Sequence, residues 1–264
     1  MEVGLRTPLL DFFRRGEVAR DIRLLAAQGA LAPRAHEQLG LLVLLVGDQD
    51  PEIARAAEDT IAAIPSGSLA AFLARSDVPA EFRAFFAARG IEPSSVPADA
   101  VDQPLLDASP DSGPDESHEV PGESAVEEAD KVSALQKIAG MTVAQRIGLA
   151  MKGTREERAI LIRDPNKIVG VAVLSSPKVS EREVENIARM ASVSEEILRI
   201  IAGTRAWVKN YAVAVALTKN PKTPVAISMN LLSRLTEKDL RTLSTDRNVP
   251  DIVRFTARKK LVIG

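Results

Sequence analysis

The sequence predicts an all-α fold of short stacked helices, and three observations lead there. First, the chain repeats itself: Asn166-Lys-Ile-Val-Gly-Val-Ala-Val-Leu-Ser-Ser-Pro177-Lys178 returns as Asn210-Tyr-Ala-Val-Ala-Val-Ala-Leu-Thr-Lys-Asn-Pro221-Lys222. Arg163, Arg205 and Arg247 recur in a second register, as do Arg199 and Arg241. A period near forty is the signature of helical arrays in which each unit buries its apolar face against its neighbours. Second, helix-start signals punctuate the chain. Third, aromatics are only 3% of residues while Ala, Leu, Ile and Val abound, a composition for close helix packing rather than for sheets.

Taken in order, Thr7-Pro8 is an N-cap with proline at the first helical position, opening Leu9 to Phe13. Glu17 to Gln28 carries Val18, Ile22 and Leu25 at helical spacing, with Gly29 as its stop. A third helix is expected from Pro33 to Val46. Asp50-Pro51 starts a fourth, with Ile53, Ala57, Ile61 and Ile64 on one face and Pro65 ending it. Ser68 to Arg75 and Pro79 to Arg89 follow, the second closed by Gly90.

Glu92 to Asp130 is different in kind. It is rich in Pro, Ser, Asp and Glu, lacks any apolar period, and cannot bury enough surface to offset its ordering entropy. The expectation is a disordered acidic linker. It holds 12 acidic and no basic residues, whereas 131–264 holds 24 basic and 12 acidic. A charge of −12 thus adjoins one of +12, while residues 1–91 carry −2.

Beyond it the helical pattern resumes. Thr142 opens Val143 to Met151, with Gly153 after it; Thr154 and Glu157 form a capping box, as do Ser180 and Glu183. Ser194 starts Ile197 to Ala202, Thr223-Pro224 starts Val225 to Leu232, and Thr236 to Asp239 caps Leu240 to Leu243. Pro250 opens a helix through Val253, Ala257 and Leu261. The run Ile168 to Val173 alternates like a strand, but the surrounding caps and its copy at Ala212 to Leu217 make it a helix.

Through Asp50-Pro51-Glu-Ile-Ala-Arg, Arg163-Asp-Pro-Asn-Lys-Ile and Asn220-Pro221-Lys-Thr-Pro224, both halves resemble α-solenoids of the HEAT-like or leucine-rich-repeat-variant kind. The C-terminal half is also similar to bacterial helical-repeat proteins without an assigned activity. The resemblance implies two HEAT-like α-solenoid domains, 1–91 and 131–264, joined by the disordered linker 92–130, and a binding scaffold rather than an enzyme.

Chemistry is sparse. There is no cysteine, so disulfides, thiolate catalysis and Cys-based metal sites are excluded. No glycine-rich phosphate loop occurs. His36 reads as a surface helix residue and His118 falls in the linker. The acidic pairs at Glu156-Glu157, Glu181/Glu183 and Glu195-Glu196 sit in first turns, where the helix dipole favours carboxylates. No catalytic residue, cofactor or metal ligand is predicted.

The candidate partner-binding residues are Arg163, Arg205, Arg247, Trp207, Arg254, Arg258, Lys259 and Lys260. Stacked repeats would align the first three into a ladder. Such a ladder either lines a groove for an anionic partner or ties repeats together through helix carbonyls and Asp164 or Asp246. Trp207 is either packing between repeats or an exposed anchor. A partner protein is the first expectation. Duplex nucleic acid is the second, since +12 supplies phosphate affinity while aromatics for base stacking are nearly absent. The start of the chain lacks a signal-peptide pattern and no apolar run spans a bilayer, so a cytoplasmic protein without membrane contact is expected.

Overall fold

The computed structural model describes residues 7–31, 34–97, 104–106 and 134–263. Every regular element among them is a helix: α1 Pro8–Arg14, α2 Arg20–Ala27, α3 Ala35–Leu45, α4 Pro51–Ala63, α5 Ser66–Leu73, α6 Ala80–Ala87, α7 134–139, α8 Val143–Lys152, α9 Arg155–Leu161, α10 Lys167–Ser175, α11 Glu181–Arg189, α12 Glu195–Gly203, α13 Arg205–Val208, α14 Tyr211–Lys219, α15 Val225–Leu231, α16 Glu237–Thr245 and α17 Asp251–Ile263, with a 3-10 turn at Leu232–Arg234. The alternating Ile168–Val173 run is therefore helix α10, as its caps require.

Spatial proximity groups the chain into two compact units, Met1–Arg158 with Ser175–Pro177, and Ala159–Leu174 with Lys178–Gly264. This division lies C-terminal of the boundary read from composition and puts α7 and α8 in the first unit, where α8 packs on α2.

Local chemistry explains the starts. The Thr7 hydroxyl accepts from the Leu10 amide and the Asp50 carboxylate from the Glu52 amide, each just ahead of a helical proline. Thr142 with Gln145, Thr154 with Glu157, and Ser180 with Glu183 are reciprocal capping boxes. The repeated asparagines do the same job in both copies: Asn166 Oδ1 accepts from Ile168 N at 3.2 Å and Asn210 Oδ1 from Ala212 N at 2.9 Å. In the second register Arg199 pairs with Glu195, and Arg241 with Glu237, each one turn apart on an exposed face.

In the first unit α3 is apolar all round from Leu39 to Leu45, after a polar first turn, and is largely buried, with α1, α2 and α4 packed on it. Gly40 lets α1 approach: a Cβ there would lie 2.8 and 2.9 Å from the two methyls of buried Leu10. The core continues through Ile53, Leu69, Phe72, Phe82 and Phe86. His36 is not a surface residue. Its ring packs edge-on to Phe72 with centroids 4.8 Å apart, and Nε2 lies 3.5 Å from Asp77 Oδ2.

Two parts of the acidic stretch, 92–97 and 104–106, are among the described residues. The Ser94 amide donates to Ala70 O at 3.0 Å, and Leu105 and Leu106 are bonded through their backbone to Gln38 of α3. The disorder expected for the rest of 92–130, and His118 with it, lies outside the described residues.

In the second unit α10 and α14 are the buried repeats, with Val169, Val171, Ala172, Val213, Ala214 and Leu217 excluded from solvent. Amphipathic α11 buries Val184, Ile187 and Ala188 and packs on α14. Asn220, only 3% exposed, donates through Nδ2 to Ala188 O at 2.8 Å and Met190 O at 3.0 Å, tying the end of α14 to the end of α11.

Candidate functional site

Helices α16 and α17 form an antiparallel pair whose inner side is one cluster: Leu232, Leu235, Leu240, Leu243, Val249, Val253 and Ala257. On α17 the core residues Val253, Ala257 and Leu261 are spaced by four. At about 100° per residue, Ile252, Phe255, Lys259 and Val262 fall on the opposite side. That side is apolar and open: Ile252 is 55%, Phe255 68% and Val262 86% exposed. An open cleft of about 430 Å³ is lined by Leu232, Leu235 and Leu240 of the inner cluster together with Ser233, Thr256, Lys259 and Lys260.

The eight residues expected at a binding surface are not brought together as one set. Lys259 and Lys260 edge the cleft. Arg254 pairs with Asp251 one turn back on α17, and Arg258 Nε donates to Ser244 O at 3.0 Å, bracing α17 against the end of α16. Arg205 opens the short α13, whereas Arg163 and Arg247 lie in turns after α9 and α16, so their equal spacing in sequence does not give equal local structure. Arg163 Nη2 contacts Met190 Sδ at 3.6 Å. Among the described residues no carboxylate pairs with Arg205, Arg247, Lys259 or Lys260. The bracing of helix C-terminal carbonyls falls to Arg83, which reaches Leu73 O and Arg75 O, and to Arg158 and Arg258. Trp207 is half-buried on α13.

Two features of this unit are absent from the sequence reading. The first is the exposed row on α17, whose signal was present: Ile252, Phe255 and Val262 fall off the arc of Val253 and Ala257. The second is Tyr211. Its hydroxyl accepts from the Thr236 amide at 3.0 Å and donates to Asp239 Oδ2 at 2.5 Å, so a tyrosine from α14 completes the cap of α16. That hydrogen bond, with lesser help from Thr236 and Lys219, holds the Asp239 carboxyl below its ordinary range. In the first unit Arg20 lowers Asp50 in the same way, and Arg75 lowers Asp77.

The acidic pairs show no convergence. Glu157 bonds the Thr154 amide and Lys137 Nζ, both at 2.8 Å, and Glu181 accepts from Asn210 Nδ2 at 3.0 Å. Among the described residues no three His, Asp or Glu side chains group as a metal site, and no helix is long and apolar enough to cross a membrane. Comparison of the chain with protein-family models, with curated proteins and with solved structures gives no match.

Proposed function

We propose that this chain is a non-enzymatic helical-repeat scaffold that binds a partner protein through the outer face of α17. In this reading, domains 1–91 and 131–264 flank the acidic stretch, the protein is cytoplasmic, and the ligand is an acidic amphipathic helix. The observation that carries it is the exposed row Ile252, Phe255 and Val262 on the helix that also bears Lys259 and Lys260, the cations that line the leucine cleft. Aromatic and aliphatic anchors of this kind supply most of the energy of helix-in-groove contacts, and the cations favour an anionic partner.

The test uses the full chain and a fluorescent peptide with a leucine stripe and a glutamate-rich opposite face. Binding is expected, with at least a ~10-fold loss for Phe255→Asp, equivalent to about 1.4 kcal/mol. Equal binding by wild type and Phe255→Asp, or no binding by either, removes the α17 face as the site.

A second reading, duplex-backbone binding opposed by the acidic stretch, is favoured by Arg205, Arg247, Lys259 and Lys260 lacking carboxylate partners among the described residues. It requires duplex affinity that falls steeply across a salt series and rises when 107–130 is deleted. Affinity indifferent to salt rejects it.

A further inference from the structure

A buried amide on α3 carries an inference independent of the α17 face. Gln38 is 1% exposed and lies between the equally buried Glu37 and the apolar run Leu39-Gly-Leu-Leu-Val-Leu-Leu45. A primary amide in such surroundings is costly unless its two donor and two acceptor positions are filled. They are filled here. Oε1 accepts from the Leu105 and Leu106 amides at 2.8 and 3.1 Å, and Nε2 donates to Leu106 O at 2.7 Å and to Gly29 O at 3.3 Å.

Three of the four bonds, including the two shortest, thus come from the backbone of a segment 67 and 68 residues away. The first unit's own helices and turns supply only the Gly29 bond. Remove the segment, and a buried amide loses most of its partners. A Gln amide offers one acceptor and one donor side by side, as a peptide group does, and here Oε1 takes two successive backbone amides, a pattern that needs the bent backbone found at Leu105 and Leu106. The Pro104 ring fixes that residue's own φ, which lowers the cost of ordering the segment. Leu105 and Leu106, both half-buried, are the only adjacent leucines between Ile91 and Asp130.

We propose that Gln38 is a docking site for a bent Pro-Leu-Leu segment, and that its resident occupant is this chain's own residues 104–106, which latch the acidic stretch onto α3. Three hydrogen bonds are set against the entropy of closing a loop, so the latch opens without unfolding the unit, and the vacated site takes the same sequence from solution.

The experiment measures amide hydrogen exchange in the full chain and then peptide binding. In wild type, Leu105 and Leu106 amides are expected to exchange at least ten-fold more slowly than in Gln38→Met, a variant of similar volume without hydrogen-bonding groups, while Leu41 and Leu42 remain protected in both. Because Gln38→Met disturbs α3 if the core does not accept it, a second variant leaves the helices untouched. Deletion of residues 104–106 empties the site, and a fluorescent peptide Asp-Gln-Pro-Leu-Leu-Asp-Ala should bind that chain at least ten-fold more tightly than wild type. Equal exchange of Leu105 and Leu106 in wild type and a folded Gln38→Met, or equal peptide affinity for wild type and the deletion chain, overturns the proposal.

Discussion

Asn220→Asp tests the packing of the second unit more sharply than any deletion, because it reverses one donor while leaving shape unchanged. Asn220 Nδ2 serves Ala188 O and Met190 O, and Oδ1 accepts from Lys222 N at 3.0 Å. Asn220→Ala forfeits three bonds, taking the side-chain donor from Ala188 O and leaving Met190 O with the Val193 amide, a loss of about 3 kcal/mol at roughly 1 kcal/mol per bond. Asn220→Asp keeps the Lys222 bond but turns a carboxylate toward those two carbonyls. The same carboxylate stands at the C-terminal, electronegative end of α14. At neutral pH it should therefore be the worse variant, by about 2 kcal/mol or more, despite being isosteric.

The sign of the pH dependence follows. An aspartate held among carbonyls has a folded pKa above its unfolded value of about 3.9, so the protonated form, which can donate to one carbonyl, is favoured by folding. Stability of Asn220→Asp is then greatest below the unfolded pKa and is lost as pH rises through the folded one; a shift of about two units corresponds to ~2.7 kcal/mol. Urea denaturation of wild type, Asn220→Ala and Asn220→Asp between pH 3 and 8 measures this. If Asn220→Asp matches or exceeds Asn220→Ala in stability at pH 7, the amide does not donate to α11 and the reasoning fails.

Two further substitutions probe individual contacts. Gly40→Ala should destabilise wild type by about 1–2 kcal/mol, because the new methyl meets the Leu10 methyls at 2.8 and 2.9 Å, and overpacking outweighs the ~1 kcal/mol gain in helix propensity. In a Leu10→Ala background the same change should stabilise by up to about 1 kcal/mol; thermal or urea melts of the four chains that give the same sign twice exclude the contact. Tyr211→Phe removes the hydroxyl that joins Thr236 N to Asp239, an expected loss of about 1 kcal/mol at pH 7. Since Asp239 is lowered in the folded chain, its contribution is present above an unfolded pKa of about 3.9 and lost as pH falls through the folded value. The gap between wild type and Tyr211→Phe should accordingly narrow on acidification, and a gap constant from pH 7 to 2 would contradict the assignment.

Helix identity was legible because its determinants lie within a few residues of one another. Thr154 with Glu157, Ser180 with Glu183, Asp50 before Pro51, and the paired Asn166 and Asn210 each complete a cap from their own turn, and α10 is a helix for that reason despite its alternating pattern. The core stripe of α17 was equally readable from Val253 and Ala257, and with it, by subtraction, the outward row of Ile252, Phe255 and Val262. Charge spacing was a poorer guide. The equally spaced Arg163, Arg205 and Arg247 sit in different local structures, while Arg83, Arg158 and Arg258, which no period marks, hold the carbonyls.

By itself, then, the sequence determined most helical segments, their apolar faces and the starts that a side chain caps, since capping and periodicity act over one to four residues. Helices α2 and α5, without such caps, begin at Arg20 and Ser66 rather than at Glu17 and Ser68. Only the tertiary structure decided that Gln38 is completed by Leu105 and Leu106, that Asn220 reaches across to Ala188, and that Tyr211 finishes the cap of another helix. These partners are 25 to 68 residues apart. A polar side chain carries the same hydrogen-bonding groups whatever its surroundings, and packing alone selects which distant backbone atoms fill them.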